Sequence, residues 1–284
     1  MSRELYVKIL LSLAKEAGRI ALRLIDDSHP GLKPDRSIIT DADLAISRLA
    51  HRRLGKLVAT GRHALIDEED PRKAEYLNEE FLERIPFIWA IDPIDGTRGY
   101  ANRMPHYGIS IGLIKDRKPW LGAVYFPSLK ELFYCDGEQA YFVTDAFGRA
   151  AKRRLIKPVN ERLSDRSVFI LSDAVGEELS WHSNDCRYMV FATAVTEFCW
   201  PCIGRGCGSL SRTHLWDVAG SWPIVARAGL KFRSFTTGKT LDRIRVDLFE
   251  QHKKSWRFKD HYILSSRKNF SALRRRVKFL KEGV

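Results

Sequence analysis

The chain has 284 residues, 44% of them hydrophobic, and a net charge of +13, so it can bury a full core as one large domain or two packed ones. It contains no run of eighteen apolar residues and no basic-then-apolar leader, so we expect neither a membrane span nor a secretory signal. Its five cysteines are an odd number, which favours free thiols in a reducing, cytoplasmic compartment.

Two amphipathic helices are predicted in the first sixty residues. Residues 4–24 place apolar side chains three and four apart, as one face of a helix requires. After the short strand predicted for residues 37–40, a second helix keeps its apolar side chains on one side. Asp41 or Asp43 is predicted to cap that second helix.

An acidic run follows the next predicted strand. Residues 63–66 are apolar enough for a strand, and residues 67–70 are four consecutive acids before a helix predicted for residues 73–85. Adjacent carboxylates repel one another unless water or cations screen them. A solvated acidic loop and a cation site are therefore both open interpretations.

The run Trp89–Thr97 reads Trp-Ala-Ile-Asp-Pro-Ile-Asp-Gly-Thr. Its first part predicts a buried strand, and Pro93 is predicted to end that strand because proline cannot donate to the ladder. Both carboxylates should then lie at a sharp turn and offer the oxygen ligands that Mg²⁺ prefers, although an aspartate-rich surface turn is the alternative. The predicted metal donors are Asp92, Asp95 and the Ile94 carbonyl, and the predicted phosphate-binding residues are Gly96 and Thr97.

The remaining strands suggest an antiparallel-rich α+β half followed by a second half that begins near residue 150. Strands are predicted for residues 107–114, 121–126, 132–134, 141–143, 168–171 and 262–264. From residue 251 onward, eleven Lys or Arg stand against two acids. A terminal helix with Leu273, Val277 and Leu280 on its apolar face and a solvated basic face explains this excess, and nucleic-acid binding is the alternative.

A second motif, Trp216-Asp217-Val218-Ala219-Gly220, precedes a helical apolar pattern. Together with Asp92-Pro-Ile-Asp-Gly-Thr97 it resembles the inositol monophosphatase family over nearly the whole chain. The resemblance implies a layered αβαβα sandwich, usually a homodimer, and a lithium-sensitive phosphatase that requires Mg²⁺. It divides the chain into residues 1–150, which carry most metal ligands, and residues 151–284.

The resemblance also implies a role for individual residues. One Mg²⁺ is expected on Glu68, Asp92 and the Ile94 carbonyl, and another on Asp92, Asp95 and Asp217, with two or three ions per site. Asp43 and Thr97 are expected to orient the attacking water, and Glu69 to support Glu68.

The chain departs from the family pattern at several positions. Ser47 stands where many members have glutamate, Asp67 where they have glycine, and the alignment puts Phe191-Ala192 at a Gly-Ser or Gly-Thr pair. No acid lies between residues 207 and 215, where inositol-specific members present a glutamate. Arg205, Arg212 and His214 are instead expected to form a cationic substrate wall that prefers bisphosphates.

The predicted function is hydrolysis of a small phosphomonoester, with an inositol phosphate as the first candidate. Bisphosphate nucleotides, fructose bisphosphate and histidinol phosphate remain open alternatives. A different class, an RNA- or polymerase-associated binding protein, would use the basic C-terminus. A zinc site at Cys199, Cys202, Cys207 and His214 is a weaker interpretation, because the chain has only a single Cys-x-x-Cys.

Overall fold

The computed structural model describes residues 1–34, 36–160, 162–176, 179–181 and 186–280. The chain opens with helices α1 (Arg3–Leu24) and α2 (Asp41–Val58), between which β1 (Gly31–Leu32) pairs with β2 (Ile38–Ile39). Helix α2 begins with a capping box, in which the Thr40 side chain accepts from the Asp43 backbone and Asp43 accepts from the Thr40 backbone. The two predicted N-terminal helices are thus present.

A seven-stranded sheet follows, and its strands lie side by side in chain order. Only β3 and β4 run parallel, and every other pair is antiparallel. The strands are β3 (His63–Asp67), β4 (Phe87–Asp95), β5 (Gly108–Lys115), β6 (Lys118–Phe126), β7 (Glu131–Cys135), β8 (Ala140–Thr144) and β9 (Lys152–Leu155).

Two predictions about this region are wrong. The helix expected for residues 73–85 is divided into a 3₁₀ helix (Pro71–Tyr76) and α3 (Glu79–Arg84), because the Asn78 side chain caps a new start by accepting from the Phe81 N–H at 2.8 Å. Strand β4 does not end before Asp92. It continues through a β-bulge to Asp95, and Pro93 lies inside the bulge, where no ladder donor is needed.

A five-stranded sheet forms from the later part of the chain, in the order β12-β10-β13-β17-β14. Its strands are β10 (Ser167–Leu171), β12 (Cys186–Val190), β13 (Gly208–Ser211), β14 (Lys231–Ser234) and β17 (Tyr262–Ser265). Helix α4 (Thr97–Ala101) lies between β4 and β5 of the first sheet. The helices of the later part are α5 (Asp173–Gly176), α6 (Ala194–Cys199), α7 (Leu215–Ala219), α8 (Trp222–Arg227) and α9 (Phe270–Arg276).

Smaller pairs complete the architecture. Strand β11 (Leu179–Trp181) pairs with β18 (Val277–Phe279), and β15 (Phe249–Glu250) forms a hairpin with β16 (Ser255–Phe258) around a 3₁₀ turn at Gln251–Lys253. Further 3₁₀ turns lie at Trp200–Ile203 and Val246–Leu248.

The C-terminal helix is shorter than predicted. It ends at Arg276, since Val277 belongs to β18, and Leu280 is 56% exposed instead of lying on an apolar face. Lys281 lies outside the described residues. Of the helices in the described part of the chain, none combines the length and apolar character needed to cross a bilayer.

The elements stack in five layers. Helices α1 and α2 cover one face of the seven-stranded sheet, and α6, α7 and α8 cover the other. The five-stranded sheet packs on the far side of α6, and α5 and α9 form the outermost layer. This is the predicted α+β, αβαβα sandwich. The two sheets occupy residues 63–155 and 167–265, while a domain division at residue 150 stays a prediction.

Helix α7 lies directly on the first sheet, backbone against backbone. A Cβ atom at Gly112 would come 2.4 Å from the Ala219 carbonyl carbon, and one at Gly122 would come 2.1 Å from the Gly220 oxygen. The Ser110 hydroxyl also donates to the Trp216 carbonyl at 2.8 Å. No side chain fits between these segments, so the helix that starts at residue 215 is held against β5.

Candidate metal centre

Three carboxylates from two distant segments converge at the end of β4. Asp92 and Asp95 lie on either side of the bulge, and Asp217 lies in the first turn of α7. All three are buried, and one oxygen from each lies within 4.8 Å of the others. The structure therefore brings together the three aspartates that the two sequence motifs singled out.

Two of these carboxylates accept hydrogen bonds from the backbone, and the third has one oxygen without a partner. Asp95 accepts from the Thr193 hydroxyl at 2.6 Å and from the Val195 N–H at 2.6 Å, both at the start of α6. Asp217 accepts from the His214 N–H at 2.8 Å. Asp92 Oδ1 is buried and has no hydrogen-bond partner among the described residues.

The three buried aspartates would repel one another if all were ionised, and a bound cation would remove that repulsion. Burial, and after it the charge of Glu68, raises the pKa of Asp92 well above its ordinary range. Burial and then the neighbouring Asp217 raise the pKa of Asp95 to about 7. Converging, buried acids with an orphaned oxygen fit a divalent cation with hard oxygen ligands.

Glu68 and Glu69 follow β3 and share a lysine. The Lys33 ammonium lies 2.8 Å from a Glu68 oxygen and 2.7 Å from a Glu69 oxygen. Burial, then the charge of Glu68, raises the pKa of Glu69 to about 7. Glu68 therefore lies beside the three aspartates, but in this structure its carboxylate is paired with Lys33.

The predicted water-orienting residues meet at the start of α4. The Thr97 hydroxyl donates to the Ile94 carbonyl at 2.8 Å and lies 3.5 Å from Asp43 Oδ1. Asp43 is buried, which raises its pKa to about 7, and its other oxygen accepts from the Thr40 hydroxyl at 2.5 Å. These contacts place a carboxylate and a hydroxyl beside the predicted carbonyl ligand.

Gly96 makes the turn between β4 and α4. Its φ is +85°, in the left-handed region, and a Cβ there would come within 3.1 Å of both the His106 carbonyl and Thr193. The turn therefore favours glycine, and α4 begins at the next residue, Thr97.

Ser47 and Asp67, two departures from the family pattern, contact each other. Asp67 is fully buried, and it accepts from the Ser47 hydroxyl at 2.5 Å and from the Glu69 N–H at 3.0 Å. It also lies 3.3 Å from His51 Nε2. The Asp67 carboxylate thus turns towards Ser47 and His51 of α2.

Of the three predicted substrate residues, the structure brings only His214 to the site. Arg205 forms a bidentate pair with Glu131 at 2.6 and 2.7 Å, and Glu131 is three strands from Asp95, or about 14 Å across the sheet. Arg212 pairs with Glu250 at 3.5 Å. His214 stacks on Trp216, with ring centroids 4.6 Å apart, and lines a cavity together with Glu68.

Sequence reasoning missed the other cations of that cavity. Its lining includes Lys33, Lys73, Lys253 and Lys254. The adjacent pair at 253 and 254 was the available signal, since consecutive polar and charged residues indicate an exposed turn.

Two further predictions, the position of the pair before α6 and the zinc site, differ from the structure. Helix α6 begins at Ala194 with Thr193 as its N-cap, so the pair before the helix is Ala192-Thr193, one residue later than aligned. Ala192 has a φ of +52°, where glycine is favoured. The zinc interpretation is also wrong, because the three aspartates are the one group of metal-ligating side chains found among the described residues.

Comparison with known proteins decides the family. The model of the inositol monophosphatase family matches residues 3–267. The chain belongs to the inositol monophosphatase family. It is accordingly a metal-dependent phosphatase, a phosphoric monoester hydrolase of the type that the family name describes.

The relatives of this chain are named after two different substrates, a bisphosphate nucleotide and an inositol phosphate. A 3′(2′),5′-bisphosphate nucleotidase CysQ of Buchnera aphidicola is 25% identical over 240 residues, 81% of this chain and 84% of the relative. Inositol monophosphatase 3 of Solanum lycopersicum is 27% identical over 242 residues, 80% of this chain and 85% of the relative.

The fold has counterparts among solved structures. An IMPase/NADP phosphatase crystallised with Mg²⁺ and phosphate aligns with a TM-score of 0.76 over 100% of both chains, at 15% identity. At that identity the similarity shows the fold alone and assigns no role to individual residues.

Proposed function

We propose that this chain hydrolyses a small phosphomonoester with two or three Mg²⁺ ions bound by Asp92, Asp95, Asp217, Glu68 and the Ile94 carbonyl. The observation that carries the proposal is the convergence of three buried aspartates, one with an orphaned oxygen, on a point within reach of all of them. A related fold that crystallised with Mg²⁺ and phosphate supports this choice of ion.

The protein's own groups divide the remaining work. The Asp43 carboxylate and the Thr97 hydroxyl hold and orient the attacking water, and Asp43, with a pKa of about 7, can accept a proton near neutral pH. Backbone N–H groups at Gly96 and Thr97 bind phosphate oxygens, and Glu69 supports Glu68. When bound, the cations activate water and neutralise charge on the phosphate and the leaving oxygen.

The metal assignment has a direct test. Phosphate release should require Mg²⁺, stop in excess chelator, and fall roughly 10²–10³-fold in Asp95→Asn, because one charge of the cluster is removed. Asp247→Asn, which changes an exposed acid, is the matched control. Full turnover in chelator, or in Asp95→Asn, contradicts the proposal.

The substrate is chosen between the classes that the relatives represent. We propose an inositol phosphate or a 3′,5′-bisphosphate nucleotide, with fructose bisphosphate and histidinol phosphate as further candidates. A phosphate-release panel over these four compounds ranks them by kcat/KM, and equally low values for all four would exclude these classes.

Lithium sensitivity is proposed as well. Li⁺ should compete with Mg²⁺ at the site formed by Asp92, Asp95 and Asp217, so inhibition should ease as Mg²⁺ is raised. A Li⁺ titration without loss of rate at high millimolar concentration counts against it. Homodimer formation, cytoplasmic location and nucleic-acid binding through the basic C-terminal segment stay predictions.

A further inference from the structure

A cavity of about 330 Å³ opens directly beside the metal cluster. Glu68 lies at one end, and the ring of His214, whose backbone caps Asp217, lies at another. We call it the lysine cavity, after Lys33, Lys73, Lys253 and Lys254 in its lining; its aromatic walls are Trp216 and Trp256.

The charges around the lysine cavity do not balance. Among the described residues that line it, Glu68 is the one carboxylate, against four ammonium groups; Glu69 and Glu250, outside the lining, pair with Lys33 and Lys253, which leaves Lys73 and Lys254 without a carboxylate partner among the described residues. Glu68 is itself a proposed metal ligand and is paired with Lys33. Cation binding at Glu68 would add further positive charge, so the cavity is built for an anion.

Lys73 is the most constrained of these cations. Its ammonium donates to the backbone carbonyls of Glu68 and Asp70 and lies 5.4 Å from the centre of the Trp216 ring. Burial lowers its pKa below the ordinary value. Two carbonyls use two of its three N–H donors, and in the described part of the chain no carboxylate lies within 4.0 Å of it.

The β15–β16 hairpin brings the other two lysines to the cavity. It is fixed at its base, because the Trp256 indole donates to the Lys73 carbonyl at 2.7 Å and the Phe258 N–H donates to the Thr213 carbonyl at 2.9 Å. Lys253 lies 3.8 Å from Glu250, whereas Lys254 has no carboxylate within 4.0 Å among the described residues.

We infer that the lysine cavity binds a second phosphate group of the substrate, with Lys253 and Lys254 as specificity-determining residues and Lys73 as the fixed donor. The inference rests on the proposed function, because the first phosphate must lie at the metal cluster. The residues that recognise a second phosphate are thus lysines from different segments, and not the arginines predicted from the sequence. The hairpin then determines the preference for bisphosphate over monophosphate substrates.

The test compares substrates that differ by one phosphate. Adenosine 3′,5′-bisphosphate is paired with adenosine 3′-monophosphate, and inositol 1,4-bisphosphate with inositol 1-phosphate. The variant is Lys253→Ala with Lys254→Asn, since Lys254 has a φ of +46° and asparagine tolerates that region. Lys259→Ala, an exposed lysine just beyond the same hairpin and outside this cavity, is the matched control.

We expect the parent to prefer the bisphosphate by about tenfold in kcat/KM on at least one scaffold, and the variant to lose that preference through KM. The monophosphate rate and the control should stay at parent values. Equal kcat/KM for both members of each pair, or an unchanged preference in the variant, overturns the inference.

A binding measurement separates this inference from the proposed function. Quenching of tryptophan fluorescence, with Trp216 and Trp256 in the cavity wall, reports ligand binding with Mg²⁺ present in an Asp43→Asn background, which keeps the metal ligands and slows turnover. Tighter bisphosphate binding that is lost in the variant supports the cavity even if no phosphate is released. Equal binding of both members of each pair overturns the cavity even if Mg²⁺-dependent hydrolysis is confirmed.

Discussion

The metal cluster and the lysine cavity share Glu68 and differ in almost everything else. The cluster gathers buried negative charge from two short motifs, and each aspartate is positioned by local backbone features: a bulge, a left-handed glycine and a helix cap. The cavity gathers positive charge from three segments, and its side chains meet only because hairpin, helix and loop pack together.

This difference indicates which of the two sites can tolerate substitutions without loss of stability. Buried like charges are costly without a cation, so the cluster trades stability for metal binding. Lys253 and Lys254 are exposed and cost little, so the hairpin side of the cavity can vary without loss of the fold. The following predictions test that division, beginning with the largest effect.

Asp217→Asn should separate stability from activity. Activity should fall roughly 10²–10³-fold because one ligand charge is lost. The metal-free protein should melt about 2–4 °C higher, because Asp217 raises the pKa of Asp95 by charge repulsion and asparagine can still cap α7. Thermal melts in chelator check this.

Asp247→Asn is the control for that melt and should change neither the activity nor the melting temperature. A metal-free melting temperature that falls in Asp217→Asn would show that the acids of the cluster do not destabilise one another.

Asp67→Gly should destabilise the protein by about 1–3 kcal/mol, since the Ser47 hydroxyl and the Glu69 N–H lose their buried acceptor. Adding Ser47→Glu should restore much of that loss, whereas Ser47→Glu alone should destabilise by placing two carboxylates together. Urea unfolding of the four proteins gives the coupling energy. Additive effects would mean that the two positions do not exchange a carboxylate.

The metal-free protein should become less stable as pH rises from about 4 to about 7. Asp43 and Asp95 have folded-state pKa values of about 7, raised by burial, against about 4 when unfolded. In that window the folded state holds more protons, so removing them penalises it and lowers its stability. We expect the melting temperature to fall by about 4 °C or more in chelator.

Saturating Mg²⁺ should flatten or reverse that trend, because a cation favours the ionised cluster. The same pH dependence with and without Mg²⁺ would show that the cluster does not bind the ion.

Lys33→Met should lower the Mg²⁺ concentration for half-saturation by about three- to tenfold, because the ammonium that pairs with Glu68 and Glu69 competes with a cation. Tryptophan fluorescence against Mg²⁺ measures this without substrate. Lys8→Met, on α1, is the control. An unchanged or weaker affinity would assign Lys33 to holding the acids in place.

What the sequence could predict follows the same division. The motifs around Asp92 and Asp217 were sufficient to predict the aspartates of the metal cluster, because ligand spacing, turn chemistry and helix capping are local properties. The family resemblance added the order of layers, which periodicity alone does not give.

Long-range pairing could not be predicted. Arg205 was assigned to the substrate because nothing local indicates that Glu131, far away in sequence, would hold it. The break at Asn78 and the continuation of β4 past Pro93 depend on a side-chain cap and a bulge that periodicity does not reveal.

The contact of α7 with Gly112 and Gly122 gives the metal ion a role in assembly. Asp92 and Asp95 leave the ribosome well before Asp217, so a growing chain cannot complete the ligand set until α7 has been made and has docked on the seven-stranded sheet. Because binding then acts only on the docked form, its free energy adds to docking and to neither sheet alone. Capture of the cation is thus possible as soon as α7 has docked, before β14 and β17 of the second sheet, which follow Asp217 in the chain, have been added.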